Sequence, residues 1–554
     1  MNMKIYKIST MVLGGLMLAS CSDIDEQIYS GGAFSKEQSQ DIVNAVPTRV
    51  EATFNGMFTF MGNPAQNYGT RFKDPRPDDF GFIMMALSQD LEGADMIGAD
   101  NGYNWFSAAC EYSSRTPSYA NPYIRYVTPY TLIGMVKDIL ATIPEDTEDA
   151  SLINMKAQAK TLRAYSYLSL APYFQGSYET SKDKPCVPVL SDSVDVTNNP
   201  RATVEQVYNV IVDDLTWAID HLDETRSSKA YVNANVAYGL RARAYLAMGK
   251  GAEAAADAEK AMQGYEPASI AEVSVPTFCD MEEHNWIWAI DITDDQANYF
   301  PYGTAPSWLS AFCGDGYGAA CGTTAMINKL LWDKIPATDV RKGWWIDENL
   351  HSPNWADLTW GTAKGDEIAN LVLDDGSKVA LPPYTNIKFG MKSGVGSTLN
   401  NNDWPLMRVE EMYLIKAEGL AKSGKESEAK QVLETFVKTY RDPAYSISAK
   451  LANALDPAEA LSNEIWFQRR VELWGEGFAV SDARRLNKPI VRFHGPNTTN
   501  YADAFQFNIA ADDGWLNMRF PQSEKDNNSA IVDNTEGSLP VAGQNPELRD
   551  GVTD

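Results

Sequence analysis

Twice in this chain, over residues 234–267 and again over 406–440, helix-forming residues run up to one glycine and then resume. The first stretch reads ANVAYGLRARAYLAM, then Gly249, then an Ala/Glu/Lys-rich segment reaching Met262. In the second, Ala417, Leu420, Gly424, Ala429 and Phe436 take the equivalent places. Small residues such as Ala242, Ala254 and Ala261 let two antiparallel helices approach closely, and Gly249 supplies the turn. Such a unit cannot bury its apolar face alone, so its repetition commits the chain to stacked helical pairs.

The spacing resembles that of the tetratricopeptide repeat, with Pro267 one residue late. A degenerate third copy is split, with 156–174 as its first helix and 203–222 as its second. Further helices are expected over 131–143 and 462–486. Between these blocks the character changes. Residues 270–400 are rich in Gly, Pro, Asn and Trp and carry little 3.6-residue periodicity, and 62–129 likewise reads as loop with short helices. Leu371 to Leu381, with Asp375-Gly376 at its centre, reads as a β-hairpin. Trp286-Ile287-Trp288-Ala289-Ile290 reads as a buried strand. The expected fold is therefore mainly α, a tetratricopeptide-like helical-pair scaffold with long irregular insertions and a few short β-hairpins. The 554 residues would on length alone suggest two to four domains. One scaffold over 21–554, helical mainly in 131–267 and 404–490 with insertions at about 62–129 and 270–400, accounts for them better.

The first twenty residues read as an address. Lys4 and Lys7 precede an apolar run from Met11 to Ala19, about the length of a signal-peptide core and too short for the ~20 residues a membrane span needs. Leu18-Ala19-Ser20-Cys21 resembles a bacterial lipobox, in which Cys21 is lipidated and becomes the mature N-terminus. The acidic run Ser22-Asp23-Ile24-Asp25-Glu26 resembles the surface-export signal of Bacteroidota lipoproteins. The formal net charge of -27 offers no basic stripe to displace counterions from phosphates, which argues against nucleic acid. Five cysteines remain, Cys110, Cys186, Cys279, Cys313 and Cys321, with no CxxC spacing. Cys313 and Cys321 are open to one disulfide or to buried thiols, and neither a metal nor a cofactor is assigned.

The segment Gln468-Arg469-Arg470-Val471-Glu472-Leu473-Trp474-Gly475-Glu476-Gly477-Phe478-Ala479-Val480-Ser481-Asp482-Ala483-Arg484-Arg485 closely resembles a signature of the SusD/RagB family of outer-membrane nutrient-binding lipoproteins, departing from it at Gln468, Ala479 and Ala483. Trp404 to Glu418, Leu162 to Leu168 and the closing Arg519-Phe520-Pro521-Gln522-Ser523-Glu524 extend the resemblance over essentially the whole chain. It implies a cell-surface protein that binds glycans, or peptides in the RagB branch. Such a protein acts as a lid on a SusC-like TonB-dependent transporter and performs no catalysis. The charges of the signature read as ion pairs: Arg469, Glu472 and Glu476 are spaced to share one helical face.

Ligand contacts are sought among the rings. Eight of the fourteen tryptophans lie within 286–360. Trp286 and Trp288 read as strand interior, and Trp332, Trp344 and Trp345 flank a structural turn at Asp339-Val340-Arg341, so these are set aside. In Asn298 to Trp308, by contrast, Pro and Gly prevent regular structure while four rings lie close together, and Asp315-Gly316-Tyr317 follows. Asp100-Asn101-Gly102-Tyr103-Asn104-Trp105-Phe106 is a second such stretch. A rigid ring offers a flat apolar face to the C–H side of a sugar at low entropy cost. The resemblance implies that contacts come from these two regions, so the candidates are Asn101, Tyr103, Trp105, Tyr299, Tyr302, Trp308 and Tyr317. The rings would stack and Asn101 would bond hydroxyls.

Rival classes leave less trace. The chain has no HExxH, GxSxG or Walker loop. A glycosidase carboxylate pair among 74 acids is marked by no motif, and Asp291, Asp294 and Asp295 form no EF-hand loop. A pure repeat scaffold for peptides would explain the helices but not the Trp-rich insertion.

Overall fold

A computed structural model describes residues 38–40, 43, 46–63, 79–98, 104–191, 194–297, 309–314, 324–352, 354, 359–360, 363–364, 370–372 and 378–554. In chain order the elements used below are α1 Glu51–Phe60, α2 Gly81–Glu92, β1 Met96–Ile97, α3 Asn104–Cys110, α4 Ala120–Thr142 and α5 Ala150–Phe174. Next come β2 Pro185–Pro188, β3 Arg201–Thr203, α6 Val204–Ile219, α7 Ala234–Ala247, α8 Gly251–Ala261, β4 Trp286–Ile290 and β5 Met326–Ile327. The short hairpins β6 Thr359–Trp360 with β7 Ala363–Lys364 and β8 Asn370–Val372 with β9 Lys378–Ala380 follow. The chain continues with β10 Trp404–Arg408, α9 Val409–Lys422, α10 Glu426–Tyr440, α11 Pro457–Glu472 and α12 Ala479–Arg485.

The expected helical pairs are present and stack in chain order, α5 on α6, α6 on α7, α7 on α8, α8 on α9 and α9 on α10, with α11 closing over α9. The sequence logic is visible in α6. Val204, Val207, Tyr208, Ile211, Leu215 and Ala218 recur at helical spacing and are all buried. Its start is fixed by a capping box between Thr203 and Gln206. Gly249 and Gly424, the interruptions that define the repeats, both have positive φ (74° and 80°) and turn one helix into the next. An apolar core runs from Val43 to Phe520, with a smaller cluster of Leu414, Leu433, Phe436 and Leu461 between the second repeat and α11. No helix among the described residues is long and apolar enough to cross a membrane.

Four local expectations are corrected. The described residues of 62–129 are not mainly loop: α2 lies there, and α4 begins at Ala120 rather than near 131, carrying Pro129 inside it. Helix α2 escapes a periodicity search because it is buried on nearly every side, from Phe82 round to Glu92, and so has no polar face to alternate. The second repeat opens with a strand, since Trp404–Arg408 pairs antiparallel with the buried Trp286–Ile290 before α9 begins. The expected helix over 462–486 is two helices, because Gly475 and Gly477 adopt φ of 84° and 92°. Side chains have no room there: a Cβ on Gly475 would come within 2.6 Å of Phe389, and one on Gly477 within 2.5 Å of Ala86. The hairpin expected about Asp375-Gly376 is β8 with β9, its turn lying outside the described residues.

Candidate functional site

The signature that ends α11 takes part in a heavily charged interior. Glu472 accepts from Arg441 (Nε to Oε2, 2.8 Å) and pairs with Arg341 (3.3 Å) and Arg408 (3.2 Å). Arg408 also bonds Glu476 (2.8 Å) and pairs with Glu410 (3.0 Å), while Arg441 reaches Glu410 at 3.1 Å. Asp339 takes Arg341 at 2.6 Å, and the Lys388 ammonium donates to Glu476 and to the carbonyls of Glu472 and Trp474. Three arginines and a lysine thus meet four carboxylates, all buried. Burial opposes charge on Glu472, but Arg441, Arg408 and Arg341 outweigh it and hold the carboxyl well below its ordinary range. Burial pushes Lys388 down to about 8, with Glu476 opposing. A charge-balanced cluster, in which Glu410 Oε2 is held by its ion pair with Arg408 and not by a hydrogen bond, joins strands, turns and helices.

This is the expected ion-pair network with different wiring. Arg469 does not pair along its own helix with Glu472. It crosses to Asp482 of α12 (2.9 Å), Arg470 reaches Asp95 (2.7 Å) and Asp550 (2.6 Å), and Glu476 lies beyond the helix end. The turn at 339–341 and the tryptophans set aside as structural behave as expected: Trp286, Trp288, Trp344 and Trp345 are wholly buried. Trp332 lies under the Lys342 ammonium, 3.5 Å from its ring centre.

The scaffold brings the ends of the two aromatic-rich stretches together. β1 pairs antiparallel with β5, Met96 opposite Ile327 and Ile97 opposite Met326. The chain leaves β1 at Gly98 toward Asn101 and Tyr103, and it arrives at β5 through Thr324 and Ala325 from the side of Tyr317. Both therefore meet the same end of one two-stranded sheet. A second junction joins the opposite flanks: Gln296 Nε2, just ahead of Asn298, donates to Asn63 Oδ1 (3.0 Å) at the start of the first insertion. Past Trp308, Leu309 to Gly314 is tied down by Asn386 Nδ2 on the Leu309 carbonyl (3.0 Å) and by Gly314 N on the Ser397 carbonyl (2.8 Å). The Cys313 thiol donates to Asn400 Oδ1 at 2.9 Å.

Of the sequence candidates, Asn101, Tyr103, Tyr299, Tyr302, Trp308 and Tyr317 lie outside the described residues, as do Cys21 and Cys321. Trp105 is placed by its backbone in α3. Residues that the sequence reading passed over are those fastening the loop flanks. Asn400-Asn401-Asn402-Asp403 reads as a turn-forming run, yet Asp403 accepts from Met281 N, Ile292 N and the Lys392 ammonium, and Asn401 donates to Asp294. Four consecutive short polar residues inside a ring-rich insertion were the available signal. Among the described residues no group of His, Cys, Asp and Glu could hold a metal ion.

A family profile described as starch-binding associating with outer membrane matches residues 86–246, and that of the SusD family matches 374–537. No curated protein matches the chain. Among solved structures, a SusD-like carbohydrate binding protein from Bacteroides vulgatus is 21% identical with a TM-score of 0.66, covering 87% of this chain and 97% of its own. A SusD superfamily protein from Bacteroides thetaiotaomicron is 21% identical, with a TM-score of 0.63 over 88% and 99% of the two chains. Another, from Bacteroides vulgatus, is 18% identical, with a TM-score of 0.67 over 89% and 99%. At these identities the likeness establishes the fold.

Proposed function

The chain belongs to the SusD/RagB family, and from that premise we propose that it captures oligosaccharides at the cell surface and passes them to a SusC-like TonB-dependent transporter. It does so by binding, without catalysis and without a cofactor. The carrying observation is the β1–β5 pair, from which the chain departs toward the Asn101–Trp105 stretch and to which it returns after the Tyr317 stretch, both at one place on the scaffold. Two ring-bearing stretches whose ends meet at a common base can present stacking faces from both sides of a sugar chain. Tyr103, Trp105, Tyr299, Tyr302, Trp308 and Tyr317 are the proposed stacking residues, and Asn101 the proposed partner of hydroxyls. A lipid on Cys21 would hold the protein at the outer membrane, several acyl chains anchoring more firmly than one. The family profile's own description, starch-binding and outer-membrane association, supports both parts of this reading.

The deciding experiment is a glycan array run with the full chain, followed by analysis of the bound glycan for cleavage products. Binding without turnover is expected, together with co-purification of a large TonB-dependent barrel from the native membrane. Cleavage products would overturn the non-catalytic reading, and capture of peptides with no glycan would move the protein to RagB-like uptake.

A further inference from the structure

A cavity of about 150 Å³ lies inside the scaffold where α2, α5, α7 and α12 meet β10. Its walls are largely apolar, with Phe82, Tyr165, Leu168, Leu246 and Trp404 among them. Ser169, Ser177, Tyr178 and Ala247 of the lining are half-exposed. A volume of about 150 Å³ takes a benzene-sized body.

Three buried polar atoms of the lining lack a partner among the described residues: Arg469 Nη1, Arg484 Nε and Trp404 Nε1. Their residues are 3%, 6% and 2% exposed, so water outside the cavity does not serve them. All three are donors, and no buried side-chain acceptor of the lining is left without a donor among the described residues. A buried donor without an acceptor is costly, so a site with a surplus of donors selects an acceptor-rich occupant. The charges agree. Arg469 and Arg485 are matched by Asp482 and Glu418, and Arg243 by Glu411. Arg484 bonds only neutral oxygens, those of Pro172, Leu516 and the Asn517 side chain, and has no ion-pair partner among the described residues. One positive charge in the wall is unanswered.

We propose that this cavity is a second binding site, for a small organic monocarboxylate whose apolar body fills the aromatic end while its carboxylate accepts from Arg484, Arg469 and Trp404. A neutral sugar fits less well, because its hydroxyls bring donors where the wall already has too many. The site is built from scaffold helices and stands independently of the stretches proposed to hold glycan.

The test uses the full chain in detergent, with benzoate as probe and benzamide as its neutral isostere, read by calorimetry and by melting temperature. Benzoate is expected to bind saturably and raise the melting temperature, and benzamide to do neither. Arg484→Gln removes the unmatched charge but also three structural hydrogen bonds, and it can fail to fold. Trp404→Phe is the informative variant: the indole N–H bonds nothing among the described residues, so its loss leaves none of them stranded. That variant should fold normally and bind benzoate about tenfold more weakly, the worth of one hydrogen bond to a charged acceptor. No benzoate binding, equal binding of benzamide, or undiminished binding by the Trp404→Phe protein would each reduce the cavity to a place for ordered water and overturn the proposal.

Discussion

Gly251 of α8 lies directly against Gly419 of α9, so close that a Cβ on Gly251 would come within 2.6 Å of the Gly419 carbonyl oxygen. The two repeats of the scaffold touch at this point, backbone to backbone. The obstacle is main chain and cannot swing aside. Gly251→Ala is therefore expected to cost about 1–3 kcal/mol by overpacking despite alanine's better helix propensity. Urea unfolding of the purified chain measures it. Gly249→Ala, two residues earlier, is destabilising for a different reason, its φ of 74°, since open space surrounds it.

Glu472 is the hub of the buried charge cluster, shared by Arg341, Arg408 and Arg441. Glu472→Gln removes one of four negative charges facing four positive ones and leaves buried guanidinium groups undercompensated. Loss of a partner from such a cluster costs about 3–5 kcal/mol. The variant should unfold at markedly lower denaturant, whereas Glu428→Gln, which breaks only the exposed pair with Lys425, should leave the midpoint almost unmoved. Equal midpoints for the two variants would refute the cluster's structural role.

Acid should expose a second buried pair. Burial alone raises the Glu418 carboxyl, but Arg485 and then Lys422 outweigh it and hold it at about 2, against an ordinary 4.5. A carboxyl depressed by folding contributes stability that is complete above its unfolded value and vanishes as pH falls through the folded one. The window is thus from about 4.5 down to about 2. A shift of this size corresponds to about 3 kcal/mol. In Glu418→Gln that amount should already be missing at neutral pH, and the fall in stability between those pH values should be shallower than in the unaltered protein. Circular dichroism melts across the pH series distinguish the two curves.

How much of this was legible in the sequence depended on whether the signal was local. The helical pairs were, because Ala254, Ala261, Ala429 and Phe436 repeat at fixed spacing around Gly249 and Gly424. Helix α2 was not, because a helix buried all round has no polar face to set a period. The wiring of the charge cluster was not either. Arg408 and Glu472 are 64 residues apart and Arg341 and Glu472 are 131 apart, so the spacing visible in the sequence suggested pairs within one helix instead. The two-residue strands β1 and β5 are too short for any pattern, yet they are what joins the two aromatic-rich stretches. The rings could be located by composition and their common base could not.

That common base leads to the prediction with most bearing on function. If the Asn101–Trp105 and Tyr299–Tyr317 stretches hold glycan, their rings serve the ligand and not the core. Trp105→Ala and Trp308→Ala should each abolish or strongly weaken glycan retention on the array. The melting temperature should stay near that of the unaltered chain, because truncating a core tryptophan typically costs about 3–5 kcal/mol and a solvent-facing one far less. Trp288→Ala is the control: this ring is wholly buried, its N–H donates to the Ala230 carbonyl at 3.1 Å, and it packs edge-on against Tyr165. Its loss should lower the melting temperature sharply. A Trp105→Ala or Trp308→Ala protein that melts as early as the Trp288→Ala control would make those rings part of the core and move the ligand site elsewhere.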